Sequence, residues 1–138
     1  MTARRFAQDT SVPVSKTQEE LKARLRKAGA DQIMVLESDE RSALGFRLGA
    51  GMYRITVPTD SRAHNVAQDQ RRAWRLLGLV MKSKLEAIRE GATTIEREFL
   101  ADRLLHDGRT VGEWAQPQID QAQAEGRLPN QLLLEGPK

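Results

Sequence analysis

The chain has 138 residues, a formal net charge of +3 and no cysteine. This length suits one domain with its own hydrophobic core, and the lack of cysteine excludes a disulfide framework, a thiolate nucleophile and any cysteine-ligated metal site. The charge is uneven, because residues 1–91 carry 17 Lys and Arg against 11 Asp and Glu, a net +6, whereas residues 92–138 carry 5 against 8, a net −3. The first part of the chain is therefore where an anionic partner would bind, although this charge alone does not indicate nucleic acid.

Hydrophobic patterning predicts an arm, one domain and a tail. Residues 1–10 lack periodicity and are predicted to be a flexible N-terminal arm; residues 11–126 are predicted to form a single α+β domain. Residues 127–138 are the predicted C-terminal tail, with an apolar triplet from Leu132 to Leu134. No apolar run approaches the roughly 20 residues of a membrane helix, and "MTARRF" leads into polar residues instead of a signal-peptide core. A cytoplasmic location is expected.

The first elements of the domain are predicted as a short strand and a helix. "SVPVS" suits an edge strand, a location to which Pro13 limits it. In "TQEELKARLRKAG", Thr17 and Glu20 have the spacing of a capping box, and Gly29 is suited to end the helix. Its apolar residues form one narrow stripe, so we expect a surface helix that lies on a sheet.

Three short hydrophobic runs predict that sheet as an antiparallel meander. The runs "QIMVLE", "SALGFRLG" and "MYRITVP" are separated by the turn formers "SDER" and "GAG", as in consecutive hairpins. Because side chains alternate between the two faces of a strand, one face is predicted to be core. Its members in the last two strands are Leu44, Phe46, Leu48, Tyr53, Ile55 and Val57. The opposite face carries Arg47 and Arg54.

The stretch "QRRAWRLLGLVMKSKLEAIRE", residues 70–90, predicts a long central helix with two distinct faces. Its apolar residues span an arc of about 180°, wide enough for burial on two sides. Trp74 lies in this arc and is predicted to be core instead of a base-stacking platform. Lys84 lies there too, so it marks either the edge of the core or an interface with another chain. A separate basic stripe beside Gly78 contains Arg71, Arg75, Lys82 and Arg89.

Further helices are predicted after residue 91. "TTIEREFLADRLL" begins with capping threonines, and Pro117 is predicted to be the first residue of a later helix, "PQIDQAQAEG", which Gly126 ends. On the earlier helix Glu98, Asp102 and His106 would share one face at spacings of four. Such a face could hold a divalent metal, but a solvated face with favourable charge contacts is the more common outcome.

The sequence lacks the signatures of catalysis, so no enzyme, cofactor or metal site is expected. The glycines of "LGAG" lie between strands with no lysine after them, which indicates a hairpin turn instead of a phosphate-binding loop. Two interpretations of the basic residues remain open: a solvated helix face with a covered sheet, or a surface for an anionic partner. The candidate contact residues are Arg47, Arg54, Arg71, Arg75, Lys82 and Arg89.

Three stretches of the chain resemble a group of small proteins encoded by bacteriophages and prophages. They are "RRFAQDTSVPVSKTQEELKARLRKAGAD", "AWRLLGLVMKSKLEAI" and "TIEREFLADRLLHDGRTVGEWAQPQI". The resemblance implies a setting and carries no site residues over, because small phage proteins of this kind commonly serve DNA replication or recombination, or inhibit a host defence complex. In outline, the predicted meander and long helix are also similar to the core of single-strand annealing proteins.

The residues and the resemblance together predict a non-enzymatic phage or prophage protein that binds nucleic acid, in single-stranded form, during replication or recombination. The six basic residues would neutralise phosphates instead of reading bases. The alternative is a protein-binding inhibitor or adapter, such as an anti-defence (anti-CRISPR-like) protein that acts on a nucleic-acid-handling complex. Homo-oligomerisation in the host cytoplasm is compatible with either interpretation.

Overall fold

The computed structural model of the protein describes residues 11–38, 41–57 and 65–127. It confirms the α+β fold, with a helix, a three-stranded antiparallel meander, a long central helix and a helical C-terminal section. The elements are α1 (Val14–Lys27), β1 (Gln32–Glu37), β2 (Ser42–Leu48), β3 (Gly51–Val57), α2 (Val66–Arg89), α3 (Ile95–Glu98), a 3₁₀ helix (Leu100–Asp102) and α4 (Val111–Ala124). The predicted N-terminal arm and residues 128–138, including Leu132 to Leu134, lie outside the described residues.

The strands form one antiparallel sheet in the order β1, β2, β3. Phe46 lies opposite Ile33 of β1 and Tyr53 of β3, so the predicted inner face is continuous across the sheet. A two-residue turn joins β2 to β3, and Gly49 adopts a φ of 61° there, a conformation that glycine tolerates best. The hairpin predicted at "LGAG" is confirmed.

The core lies between the inner face of the sheet and the helices α1 and α2. Trp74 is only 1% exposed, which confirms its assignment to the core. Phe46, Tyr53 and Phe99 form an aromatic cluster with ring centroids 5.3 to 5.7 Å apart. The helices contribute the buried residues Leu21, Leu25, Ala73, Leu77 and Met81. No helix in the described ranges combines the length and the apolarity needed to cross a membrane.

α1 and α2 run in the same general direction across the sheet. Near the start of α1, Val14 and Trp74 border one cavity, and one turn later a Cβ placed on Gly78 would lie 3.4 Å from Cγ2 of Thr17. Near the end of α1, Lys27 borders a second cavity together with the last turn of α2. Three antiparallel strands, an odd number, connect the two helices, so their last turns lie at the same end of the domain.

The start of α1 differs from the prediction. The helix begins at Val14 with Pro13 as its N-cap, so "SVPVS" forms no strand and Thr17 caps nothing. Proline is tolerated there because its missing N–H would be unsatisfied at a helix start in any case. The Pro13 carbonyl accepts hydrogen bonds from the N–H groups of Lys16 and Thr17. Val14 packs against the core, and this contact favours helix over an edge strand.

The long helix predicted over "TTIEREFLADRLL" is broken, and that prediction is wrong. α3 ends at Glu98, Phe99 has a φ of −117° and is fully buried, and the short 3₁₀ helix follows. The N–H of Leu104 then donates to the Met52 carbonyl of β3 at 2.8 Å. Burial of Phe99 and the hydrogen bonds offered by the edge of β3 outweigh the local preference for a continuous helix.

α4 runs through Pro117, which was predicted to start a new helix. Its start is fixed earlier by a capping box, in which the Thr110 hydroxyl accepts from the N–H of Glu113 while the Glu113 carboxylate accepts from the N–H of Thr110. Pro117 lies in the exposed part of the helix, where carbonyls without a helical partner remain accessible to solvent. The side-chain amide of Gln118 also donates to the Trp114 carbonyl at 2.8 Å.

Candidate functional site

The outer face of the sheet carries Arg47, as predicted, but its charge is offset by a neighbouring acid. Arg47 forms a two-pronged ion pair with Asp31, in which Nε lies 2.8 Å from Oδ1 and Nη2 contacts Oδ2. The hydrogen bonds from Arg47 lower the pKa of the Asp31 carboxyl, so the acid stays ionised. A phosphate at Arg47 would have to compete with this carboxylate.

Arg54, the second predicted residue of the sheet face, connects β3 to α4. Its Nη2 lies 2.6 Å from Oε1 of Glu113, and its Nη1 donates to the Gly108 carbonyl at 3.1 Å. Hydrogen bonds from Thr110 are the main cause of a lowered pKa at Glu113, and the positive charge of Arg54 adds to the effect. Arg54 therefore has a structural role that accounts for its position.

The first half of the basic stripe on α2 also has partners within the domain. Two guanidinium nitrogens of Arg71 donate to Oε1 of Gln68, the shorter bond at 2.7 Å. Arg75 lies 3.6 Å from the Glu20 carboxylate of α1. Gly78, which the sequence places beside this stripe, faces Thr17 of α1.

The second half of the stripe borders a groove of about 300 Å³ between the last turns of α1 and α2. Lys82 and Arg89 line it from α2, and Arg24 and Lys27 line it from α1. We call it the basic groove, and these four cations its rim. The lining also includes one acid, Glu86, so it carries a net charge of +3. The structure thus places two of the six predicted residues, Lys82 and Arg89, beside two cations that were not predicted, Arg24 and Lys27.

Most of the rim is available to a ligand. Within the described part of the chain, Arg24, Lys27 and Lys82 have no ion-pair partner, and Arg89 contacts only the exposed Glu90, at 3.3 Å. Arg24, Lys27 and Arg89 lie in last helical turns, where a cation is favoured by the helix dipole. Lys82 lies in the interior of α2, where the helix dipole does not favour a cation.

The basic groove also has an aliphatic part, which we call its floor. It is formed by Leu48 of β2, Leu85 and Ile88 of α2, and Ile95 of α3. Leu48 is buried and the other three are half-buried, so the floor is the exposed margin of the hydrophobic core. A ligand that fits the groove would combine negative charge with an apolar part.

Lys84 has a structural role at the edge of the core. Its Nζ donates to the Glu98 carbonyl at 2.7 Å and lies 5.2 Å from the centre of the Phe99 ring. Burial raises the pKa of Asp102, and the charge of Lys84 partly counteracts this. The lysine therefore connects the α2 helix to the segment that carries α3 and the 3₁₀ helix.

The helical face considered for a metal does not form, because the helix that would carry Glu98, Asp102 and His106 is broken at Phe99. Glu98 instead accepts a hydrogen bond from the Thr93 hydroxyl at 2.9 Å. Among the described residues, no three His, Asp or Glu side chains are grouped so that they could hold a metal ion.

The sequence contained Arg24 and Lys27 but gave no signal that they lie beside Lys82 and Arg89. About 55 residues separate the two pairs, and only the parallel arrangement of α1 and α2 brings them together.

Comparison of the chain with protein-family models, curated proteins and solved structures found no match.

Proposed function

We propose that the protein is a non-enzymatic nucleic-acid-binding protein that contacts the phosphate backbone through the rim of the basic groove. The observation that carries the proposal is the convergence of four cations on one groove, three of them without an ion-pair partner among the described residues. Each phosphate that such a cation neutralises releases counterions, which favours binding whatever the base sequence.

The contact is proposed to extend along α2. Lys82 and Arg89 are two helical turns apart, about 10 Å, so a backbone that follows the helix would meet more than one cation. Arg75 and Arg71 continue the same side of α2 towards its start, where both already have partners and would contribute less. We expect Arg47 and Arg54 to contribute least, because each donates a hydrogen bond to a carboxylate at 2.8 Å or less, whereas Arg75 lies 3.6 Å from that of Glu20.

The proposed setting is DNA replication or recombination in a phage or prophage, in line with the resemblance of the sequence to small phage-encoded proteins. The proposed contacts join the four cations of the rim to phosphates, and such contacts carry no sequence information. They support a role in holding a strand instead of recognising a sequence.

A second candidate, a protein-binding inhibitor or adapter directed at a nucleic-acid-handling complex, is favoured by a separate observation. Large apolar side chains are exposed on the outer face of the sheet, at Met34 (51%) and Leu36 (46%), and on α4, at Trp114 (47%) and Ile119 (50%). Aromatic residues and methionine are enriched in protein interfaces, so Trp114 and Met34 are the strongest candidates for contact with a partner.

Fluorescence anisotropy with labelled single-stranded and double-stranded oligonucleotides at low salt tests the first proposal. We expect binding that weakens steeply as salt is added. If the purified protein binds neither form at low salt, the nucleic-acid proposal is wrong. Recovery of one stoichiometric protein partner from infected cells, lost when Trp114 is replaced by alanine, would then favour the second candidate.

A further inference from the structure

The aliphatic floor of the basic groove has no use in phosphate neutralisation. A cluster of cations on an open helix surface would serve that purpose equally well, yet here the cations line a concavity together with Leu85, Ile88 and Ile95. A phosphate seated on such a floor would lose hydration without gaining hydrogen bonds from it. An apolar part of the ligand fits the floor better than the phosphate does.

We propose that the floor receives one unstacked base of a single strand while the rim holds the phosphates that flank it. This inference rests on the proposed function and adds the form of nucleic acid that the groove accepts. The groove volume of about 300 Å³ is at the lower end of small-molecule sites, which suits one nucleotide unit and not a folded or stacked segment.

A duplex cannot use the floor in this way. Its bases are stacked between their neighbours, so only phosphates and groove edges face a protein, whereas single strands can turn bases out onto a protein surface. The charged rim alone would bind both forms. The floor is therefore the part of the site that selects single strands.

The expected gain from the floor is moderate, because it contains no aromatic ring. An aliphatic contact is expected to contribute no more than the weakest stacking on an aromatic side chain, which corresponds to about a fivefold gain in affinity.

Ala28 provides a way to block the floor without changing charge or core. It is the exposed C-cap of α1 and borders the groove, so Ala28→Leu should fill part of the cavity. Ala23→Leu is the matched control, because Ala23 is exposed on the same helix and does not line the groove.

The decisive measurement is anisotropy with two single strands of equal length, one with bases and one abasic, so that the phosphate charge is the same. We expect the wild type and Ala23→Leu to bind the base-containing strand about fivefold more tightly, and Ala28→Leu to bind both strands equally.

Three other results overturn the inference. Equal binding of both strands by the wild type, with a steep salt dependence, would leave the proposed function standing and remove the role of the floor. If Ala28→Leu still prefers the base-containing strand, the base contacts another surface of the protein. No binding of either strand would overturn the proposed function together with the inference.

Discussion

The rim of the basic groove makes a quantitative prediction about salt. If its four cations each neutralise one phosphate of a single strand, the logarithm of the binding constant should fall with the logarithm of salt concentration with a slope of about −2.8, from about −0.7 per contact. Raising the salt from about 50 to 200 mM would then weaken binding about 50-fold. The double substitution Lys82→Ala and Arg89→Ala should reduce the slope to about −1.4 and the loss to about sevenfold.

The control for this prediction removes the same charge elsewhere. Arg47 and Arg109 are exposed and paired with Asp31 and Asp107, respectively, so replacing both by alanine also lowers the net charge by two. We expect this variant to keep a slope of about −2.8. Lys82 and Arg89 are exposed as well, so neither double variant should unfold, which circular dichroism can verify.

The assay is anisotropy titration of one labelled single strand at four or five salt concentrations for the three proteins. If the Arg47 and Arg109 variant loses as much slope as the Lys82 and Arg89 variant, the effect comes from net charge and the groove has no special role. If only the Arg47 and Arg109 variant loses slope, the contact surface lies at these two arginines instead of the groove.

Three further predictions concern stability. Lys84→Met should lower the free energy of unfolding by about 2 kcal/mol, because a charge-assisted hydrogen bond to Glu98 and a contact with the Phe99 ring are lost; a change below about 0.5 kcal/mol in urea titrations would contradict this. Asp102→Asn should be more stable than the wild type at pH 7, because burial raises the folded-state pKa of Asp102 above its unfolded value of about 3.9. Ionisation of Asp102 thus lowers the stability of the wild type at pH values above its folded-state pKa, and this stability should recover as the pH falls through that pKa. Identical pH profiles of the two proteins in thermal melts would count against the raised pKa. Thr17→Val should stabilise by about 1 kcal/mol, since the buried Thr17 hydroxyl has no hydrogen-bond partner among the described residues; a lower melting temperature would indicate a partner elsewhere in the chain.

Local patterns predicted the sheet and the central helix because each has one buried face. Alternation in β2 and β3 assigned Phe46 and Tyr53 to the inner face, where both are buried, and the period of α2 assigned Trp74 to the core. These signals are strong because a shift by one residue would move every apolar side chain to solvent. The same logic placed Arg47 and Arg54 on the outer face.

Predictions failed where a contact distant in sequence decided the local structure. Thr17 and Glu20 have the spacing of a cap, but Thr17 is buried against Gly78, which lies 61 positions further along the chain. Phe99 ends α3 because its ring joins Phe46 and Tyr53 in the core. No local propensity records such contacts.

The ion pairs of the outer face were likewise beyond the reach of sequence patterns. Arg54 pairs with Glu113, 59 residues away, and Arg47 pairs with Asp31, which precedes β1. Sequence patterning shows that an arginine is on a surface, but whether a carboxylate offsets its charge depends on tertiary structure. This difference separates the arginines of the sheet from the cations of the groove rim.

The basic groove follows from topology more than from any motif. Cations are favoured in the last turn of any helix, and antiparallel neighbouring helices would keep such cations at opposite ends. Here three strands connect α1 and α2, so both helices end on the same side, and Arg24, Lys27 and Arg89 converge there with Lys82. Glu86 and Glu90 offset only part of their positive charge. The fold thus places a net positive charge at one end of the two helices, and this charge would favour an anionic ligand such as a phosphate.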